Sequence, residues 1–201
     1  MSISDDKKLE TLNDHYKDTF AQIRDYISLR DKLLIWILLV AAVMLFEVFS
    51  PSEAGLAIAQ FASEKVGLNG ALINTSFIGS VIWFLMLVLT MKYFQTVGLI
   101  EKHYDYIEKV EDAIRKNYDG ATGIFSREGR HYLENYPLFS DWSWLLYTII
   151  FPILLVAVLL YKIYNEVFIS GCSVIFYINL LIFICIVTST ILYLRMLHFK
   201  K

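Results

Sequence analysis

The stretch Leu33–Phe49, LLIWILLVAAVMLFEVF, holds one ionisable residue, Glu47, close to its end. Arg30, Asp31 and Lys32 stand directly before it, and Ser50-Pro51 directly after. A helix needs roughly 20 predominantly apolar residues to cross a bilayer. The stretch is slightly short. Lys32 can snorkel at one end, and Glu47 can sit at headgroup depth at the other. Three more runs of the same character follow at 71–91, 142–161 and 174–194. The sequence therefore predicts an all-α polytopic membrane protein with four transmembrane helices.

Composition agrees. Of 201 residues, 57% are hydrophobic and only 19% charged, where a soluble domain would be about a quarter charged. The formal net charge of -2 leaves no global basic surface for nucleic acid. Two cysteines cannot build a disulfide framework. The opening MSISDDKKLE lacks a basic region followed by an apolar one, so the first span is expected to act as its own insertion signal.

Working outward from Leu33, residues 1–32 read as an amphipathic helix. Leu9, Leu12, Tyr16, Phe20, Ile23 and Ile27 recur at steps of three or four, opposite a face of mixed charge. With no Gly or Pro before Phe49, one long helix is expected from about Asp5 to Phe49. Beyond it, Ser50, Pro51 and Glu53 predict a helix start with a capping box. The 50–70 segment reads as an outer loop with a short surface helix, or alternatively as a re-entrant pore helix; it has no carbonyl-filter motif. After the second span the helical pattern continues over 92–119, with a stripe of Leu99, His103, Tyr106, Ile107, Val110, Ile114 and Tyr118. The two extensions are expected to bury their stripes on each other or on neighbouring subunits. Residues 120–141 are irregular but aromatic, and are expected to be packed. In the third span Pro152 cannot bond the Thr148 carbonyl, so a kink is expected there. Lys162 and Asn165 mark the far end of this span, and 162–173 reads as a turn. The tail is 195–201.

Sixteen of the 18 Lys and Arg residues fall in 1–32, 92–141 and 195–201; only Lys65 and Lys162 lie elsewhere. By the positive-inside rule both termini and the 92–141 segment are expected in the cytoplasm, and a bacterial inner membrane is the expected location.

Motifs for chemistry are sparse. His15, His103, His131 and His198 have no metal-ligand spacing, and there is no HExxH, phosphate loop or GxSxG. No enzyme, cofactor or metal is expected. Arg127 and His131 fall short of the Arg-to-His spacing of HEPN-type ribonucleases; with Tyr16, Phe20 and His103 they are candidates for binding a cytosolic protein partner. Intramembrane ionisable groups are functional candidates by default. Glu47 reads either as a rim carboxylate or as part of a ring at a pore mouth. Asn179 reads as a hydrogen bond to a neighbouring helix, or as one of a row with Phe183, Ile186 and Thr190 that would line a mostly apolar pore.

The size, the four spans and the charged segment NDHYKDTFAQIRDYISLRDKLL (13–34) running straight into the first span resemble the small four-span membrane effectors of bacterial anti-phage systems. These include the Kiwa-type membrane subunit and the multi-pass effectors of cyclic-oligonucleotide and CRISPR-associated defence. The resemblance is architectural. It implies a homo-oligomer in the lipid bilayer that perturbs the membrane or its ion flux when a cytosolic partner or signal engages the cytoplasmic helices. The alternative is a non-conducting scaffold that recruits a cytosolic protein.

Overall fold

The computed structural model describes residues 5–61, 63–64, 75–116, 138–171 and 173–198. Its elements are α1 (Asp5–Phe49), α2 (Pro51–Phe61), α3 (Thr75–Arg115), α4 (Leu138–Leu145), a π-helical turn (Leu146–Ile150), α5 (Phe151–Ser170) and α6 (Val174–His198). There is no strand among the described residues. Four helices are long and apolar enough to cross a membrane. The chain is thus an all-α, multi-pass membrane protein.

It divides into two compact units. One comprises Met1–Lys32 and Gln95–Leu145, the other Leu33–Phe94 and Leu146–Lys201. The unbroken helices α1 and α3 each contribute to both.

In the polar unit, Thr19 and Ile23 of α1 are buried, as are Thr96, Val97, Ile100, Ile107, Val110 and Ile114 of α3. The steps of three, four and seven keep them on one face of each helix. Gln22 and Tyr26 of α1 meet His103 of α3: the His103 Nε2 lies 3.2 Å from Gln22 Oε1, and the Tyr26 and His103 rings are 5.3 Å apart. The expected stripe of α3 is shifted. Leu99 and Tyr106 are exposed, while Glu111, which is not one of the stripe residues, is buried.

In the membrane unit the interior is filled by Ile37 and Met44 of α1, Trp83 and Met86 of α3, Leu159 of α5 and Ile186 of α6, each fully buried. The outward faces carry Ile35, Trp36, Phe84, Leu154, Leu181 and Ile184, all exposed. Apolar side chains on both sides of a helix are what a membrane span requires, because lipid replaces water. At one end of the unit Tyr93 and Phe94 pack with Phe151 and Tyr193; the Phe94 and Tyr193 rings stack at 4.2 Å.

Three local features follow from single residues. Pro152 lacks an amide hydrogen and its ring would meet the Thr148 carbonyl; the chain answers with the π turn Leu146–Ile150 immediately before it. Gly171 takes φ 62°, which suits a residue without Cβ, and ends α5. Ser173 then caps α6, its Oγ accepting from the Phe176 amide at 3.2 Å. The expected capping box at α2 takes another form: the Ser52 hydroxyl donates to Glu53 Oε2 at 2.9 Å.

The third span does not stop at Lys162. Helix α5 continues for two more turns to Ser170, and Lys162 turns inward, 8% exposed. The reason is a set of partners that its neighbours in sequence did not reveal.

Candidate functional site

Within the membrane unit, the described residues form a layer of charged side chains contributed by separate helices. Glu47 lies near the end of α1, Lys162 and Glu166 are one turn apart on α5, Trp83 is on α3 and Asn179 on α6. Lys162 Nζ donates to Glu47 Oε2 at 2.8 Å and lies 3.7 Å from Glu166 Oε1. The Trp83 indole N–H donates to Glu166 Oε1 at 2.8 Å, and the Asn179 amide donates to Glu166 Oε2 at 2.9 Å. Both oxygens of Glu166 are therefore acceptors, the pattern of a carboxylate. All four helices that cross the membrane contribute.

Each position has a local cause. Lys162 and Glu166 share a helix face because they are four residues apart. Asn179 belongs to the buried stripe Phe176, Asn179, Ile182, Ile186, Thr190 and Tyr193 of α6, whose steps of three and four aim it into the unit. Trp83 is fully buried and packs edge-on against Phe183, with centroids 6.3 Å apart. A buried indole N–H needs an acceptor, and Glu166 supplies it.

The layer sits just inside one end of the spans. At 1.5 Å per residue, Trp83 is roughly 12 Å along α3 from Thr75, and Glu166 roughly 6 Å from the end of α5. Around this end the outward surface is aromatic: Phe49, Phe77, Tyr161, Tyr164, Phe168 and Tyr177 are exposed. Such a girdle marks the boundary of hydrocarbon and headgroups. The charges thus face inward behind an apolar exterior, the arrangement expected of functional ionisable groups in a membrane.

A cavity of about 350 Å³ opens beside the layer. Glu47, Lys162, Asn165, Glu166, Ser173 and Asn179 supply its polar wall, and α2 contributes Pro51, Ala54, Gly55 and Ile58. Asn179 is 3% exposed and its Oδ1 has no hydrogen-bond partner among the described residues.

Among the residues singled out from the sequence, Glu47 and Asn179 are brought into this one layer. Phe183 is half-buried against Trp83. Ile186 and Thr190 are buried further along the same stripe, where the Thr190 hydroxyl bonds the Ile186 carbonyl at 2.9 Å. Their helical spacing serves packing inside a single chain. In the polar unit Tyr16 and Phe20 stack on one another with centroids 6.4 Å apart, and Arg24 lies 5.3 Å from the Phe20 centroid. Arg127 and His131 lie outside the described residues. Sequence reading missed Glu166 and Trp83. The i,i+4 pair Lys162–Glu166 in the apolar run YKIYNEVF was the available signal.

Among the described residues, no group of three or more His, Cys, Asp or Glu is placed to hold a metal ion. No family model, curated protein or solved structure matches the chain. The class that fold and site define is a four-span membrane protein with a buried carboxylate–lysine layer beside a small cavity.

Proposed function

We infer that this protein is a membrane effector. Its polar unit receives a cytosolic partner or signal, and its spans rearrange to perturb the membrane or pass ions. The observation that carries this reading is the continuity of α1 and α3, which run without proline from one unit into the other. Neither helix contains proline, and α1 contains no glycine either, so a displacement of the polar unit can be carried along an unbroken helix axis. The distribution of Lys and Arg supports a topology with both termini and the polar unit in the cytoplasm, and the inner membrane of a bacterium is the location that belongs to this proposal. Homo-oligomerisation and a role in anti-phage defence belong to the same proposal and rest on the architectural resemblance.

A direct test is to express the full chain in bacteria, challenge the cells with a phage panel and follow a voltage-sensitive dye. Depolarisation is expected during infection, and its loss is expected when residues 1–30 are removed. No depolarisation across the panel, with the protein confirmed in the membrane, overturns the reading.

One observation favours a non-conducting scaffold. The membrane unit is filled along its interior by fully buried side chains on every span, Ile37, Trp83, Leu159 and Ile186 among them. Capture of a cytosolic protein that depends on residues 1–30, without any change in dye signal, selects this alternative.

A further inference from the structure

Among the described residues the charged layer is not balanced. Glu47 and Glu166 carry two formal negative charges and Lys162 one positive. Glu166 is met by three donors: Trp83 at 2.8 Å, Asn179 at 2.9 Å and Lys162 at 3.7 Å. Glu47 meets one, through Oε2. Side-chain amide oxygens also stand beside the cavity. Asn165 gives one side-chain N–H to the Tyr161 carbonyl at 3.0 Å and keeps its side-chain oxygen toward other donors, and the buried Asn179 Oδ1 has no partner among the described residues. A group that completes this layer must donate hydrogen bonds and carry one positive charge, because an uncompensated charge behind an apolar exterior is strongly disfavoured.

Size and lining narrow the choice. At about 350 Å³ the cavity lies at the small end of the range of ligand sites, roughly 300–1,000 Å³, and is far larger than the close oxygen shell of a bare metal ion. Its remaining wall includes Val48, Ala54, Ile58, Ile175 and Phe176, which suit carbon.

We propose that this cavity binds a primary ammonium on a short carbon chain, its N–H groups directed at the Glu47 carboxylate and the Asn165 side-chain oxygen. The ammonium comes either from a free small amine or from the ethanolamine headgroup of a lipid, since the aromatic girdle sets the cavity at headgroup depth. The site lies within the membrane unit and is independent of whether the protein conducts ions.

The test uses the full chain in phosphatidylcholine nanodiscs, titrated with ethanolamine hydrochloride and, in parallel, with tetramethylammonium, which has no N–H. Saturable heat and a rise in Tm are expected with ethanolamine alone. Glu47→Gln keeps the shape, leaves Lys162 paired with Glu166, and lowers the affinity about tenfold or more. Gly79→Leu provides a second variant. Gly79 lines the cavity and a Cβ there meets nothing within 4 Å, so the larger side chain is expected to occupy cavity space and abolish binding, with the ligand-free Tm checking that the fold persists. Nanodiscs containing phosphatidylethanolamine distinguish the sources. If that lipid is selectively retained by the protein and suppresses the ethanolamine heat, the headgroup is the ligand; unchanged heat identifies the free amine. Absence of both ethanolamine binding and selective lipid retention overturns the proposal. So does equal binding of tetramethylammonium, or undiminished binding by both variants.

Discussion

Lys162 Nζ lies 2.8 Å from Glu47 Oε2, although 115 residues separate the two in the chain. Their side chains are only 10% and 11% exposed, so the small values typical of solvated ion pairs do not apply. Removing the lysine leaves two carboxylates facing one another in a low-dielectric layer. Lys162→Met is expected to cost about 3–5 kcal/mol, the range for breaking a buried pair from one side. The double variant with Glu47→Gln should recover part of this, because Glu166 keeps Trp83 and Asn179 as donors. Reversible unfolding in mixed detergent micelles measures both. A Lys162→Met protein within about 1 kcal/mol of the parent would show the pair to be solvated after all.

The four spans were readable because a run such as Leu33–Phe49 has few alternatives to a membrane helix. The polar layer was harder to read, for a physical reason. A lysine near the end of an apolar run normally snorkels to the headgroups, and from the sequence Lys162 reads only as a mark of the far end of its span. What reverses the choice is a carboxylate on another helix, and sequence spacing does not report which faces meet. Glu47 and Asn179 stood out by being polar in apolar surroundings. Trp83 did not, because tryptophan is common at interfaces, and its N–H matters only once Glu166 is beside it. The row Asn179, Phe183, Ile186 and Thr190 has the period of a lining, but a packed core has the same period.

The start of α2 titrates. The carboxyl of Glu53 is held below its ordinary value of 4.5, first by its own backbone amide and then by the Ser52 hydroxyl. A lowered folded-state pKa means that the contribution to helix stability is present above 4.5 and is lost as pH falls through the lowered value. Amide exchange in residues 54–57, corrected for intrinsic rates, should therefore show protection that declines only on acidification. Glu53→Gln should flatten that dependence. The group is exposed, so the effect is local to α2.

His103 fastens α3 to α1 in the polar unit. Its Nδ1 lies 2.7 Å from the Leu99 carbonyl, which can only accept, so this nitrogen donates. In the neutral ring Nε2 then accepts, so at this 3.2 Å contact Gln22 must turn its side-chain amide N–H, rather than its oxygen, toward the imidazole. A double-mutant cycle of Gln22→Ala and His103→Ala should give a coupling energy of about 0.5–1.5 kcal/mol, the range of one neutral hydrogen bond. Exchange of the amides over 99–107 would report it locally. Strict additivity would mean that the two side chains do not bond.

The π turn Leu146–Ile150 stands directly before Pro152, which has no amide hydrogen. π turns of this kind are single widened turns inserted in otherwise α-helical segments, and a proline that cannot make the ordinary i to i−4 bond is a physical reason for one here. Pro152→Ala removes both obstacles at once. It restores a donor and takes away the ring that would meet the Thr148 carbonyl. The segment should then close to regular α-helix, with the new amide at position 152 bonded to Thr148 and protected from exchange. Thr148 itself is buried, so the tightened turn must repack its side chain. The gain from the extra bond, about 0.5–1.5 kcal/mol, should therefore be partly offset in the whole-protein stability, although the local protection is clear. Rapid exchange at position 152 in the variant would show instead that packing around Thr148, and not the proline, sets the widened turn.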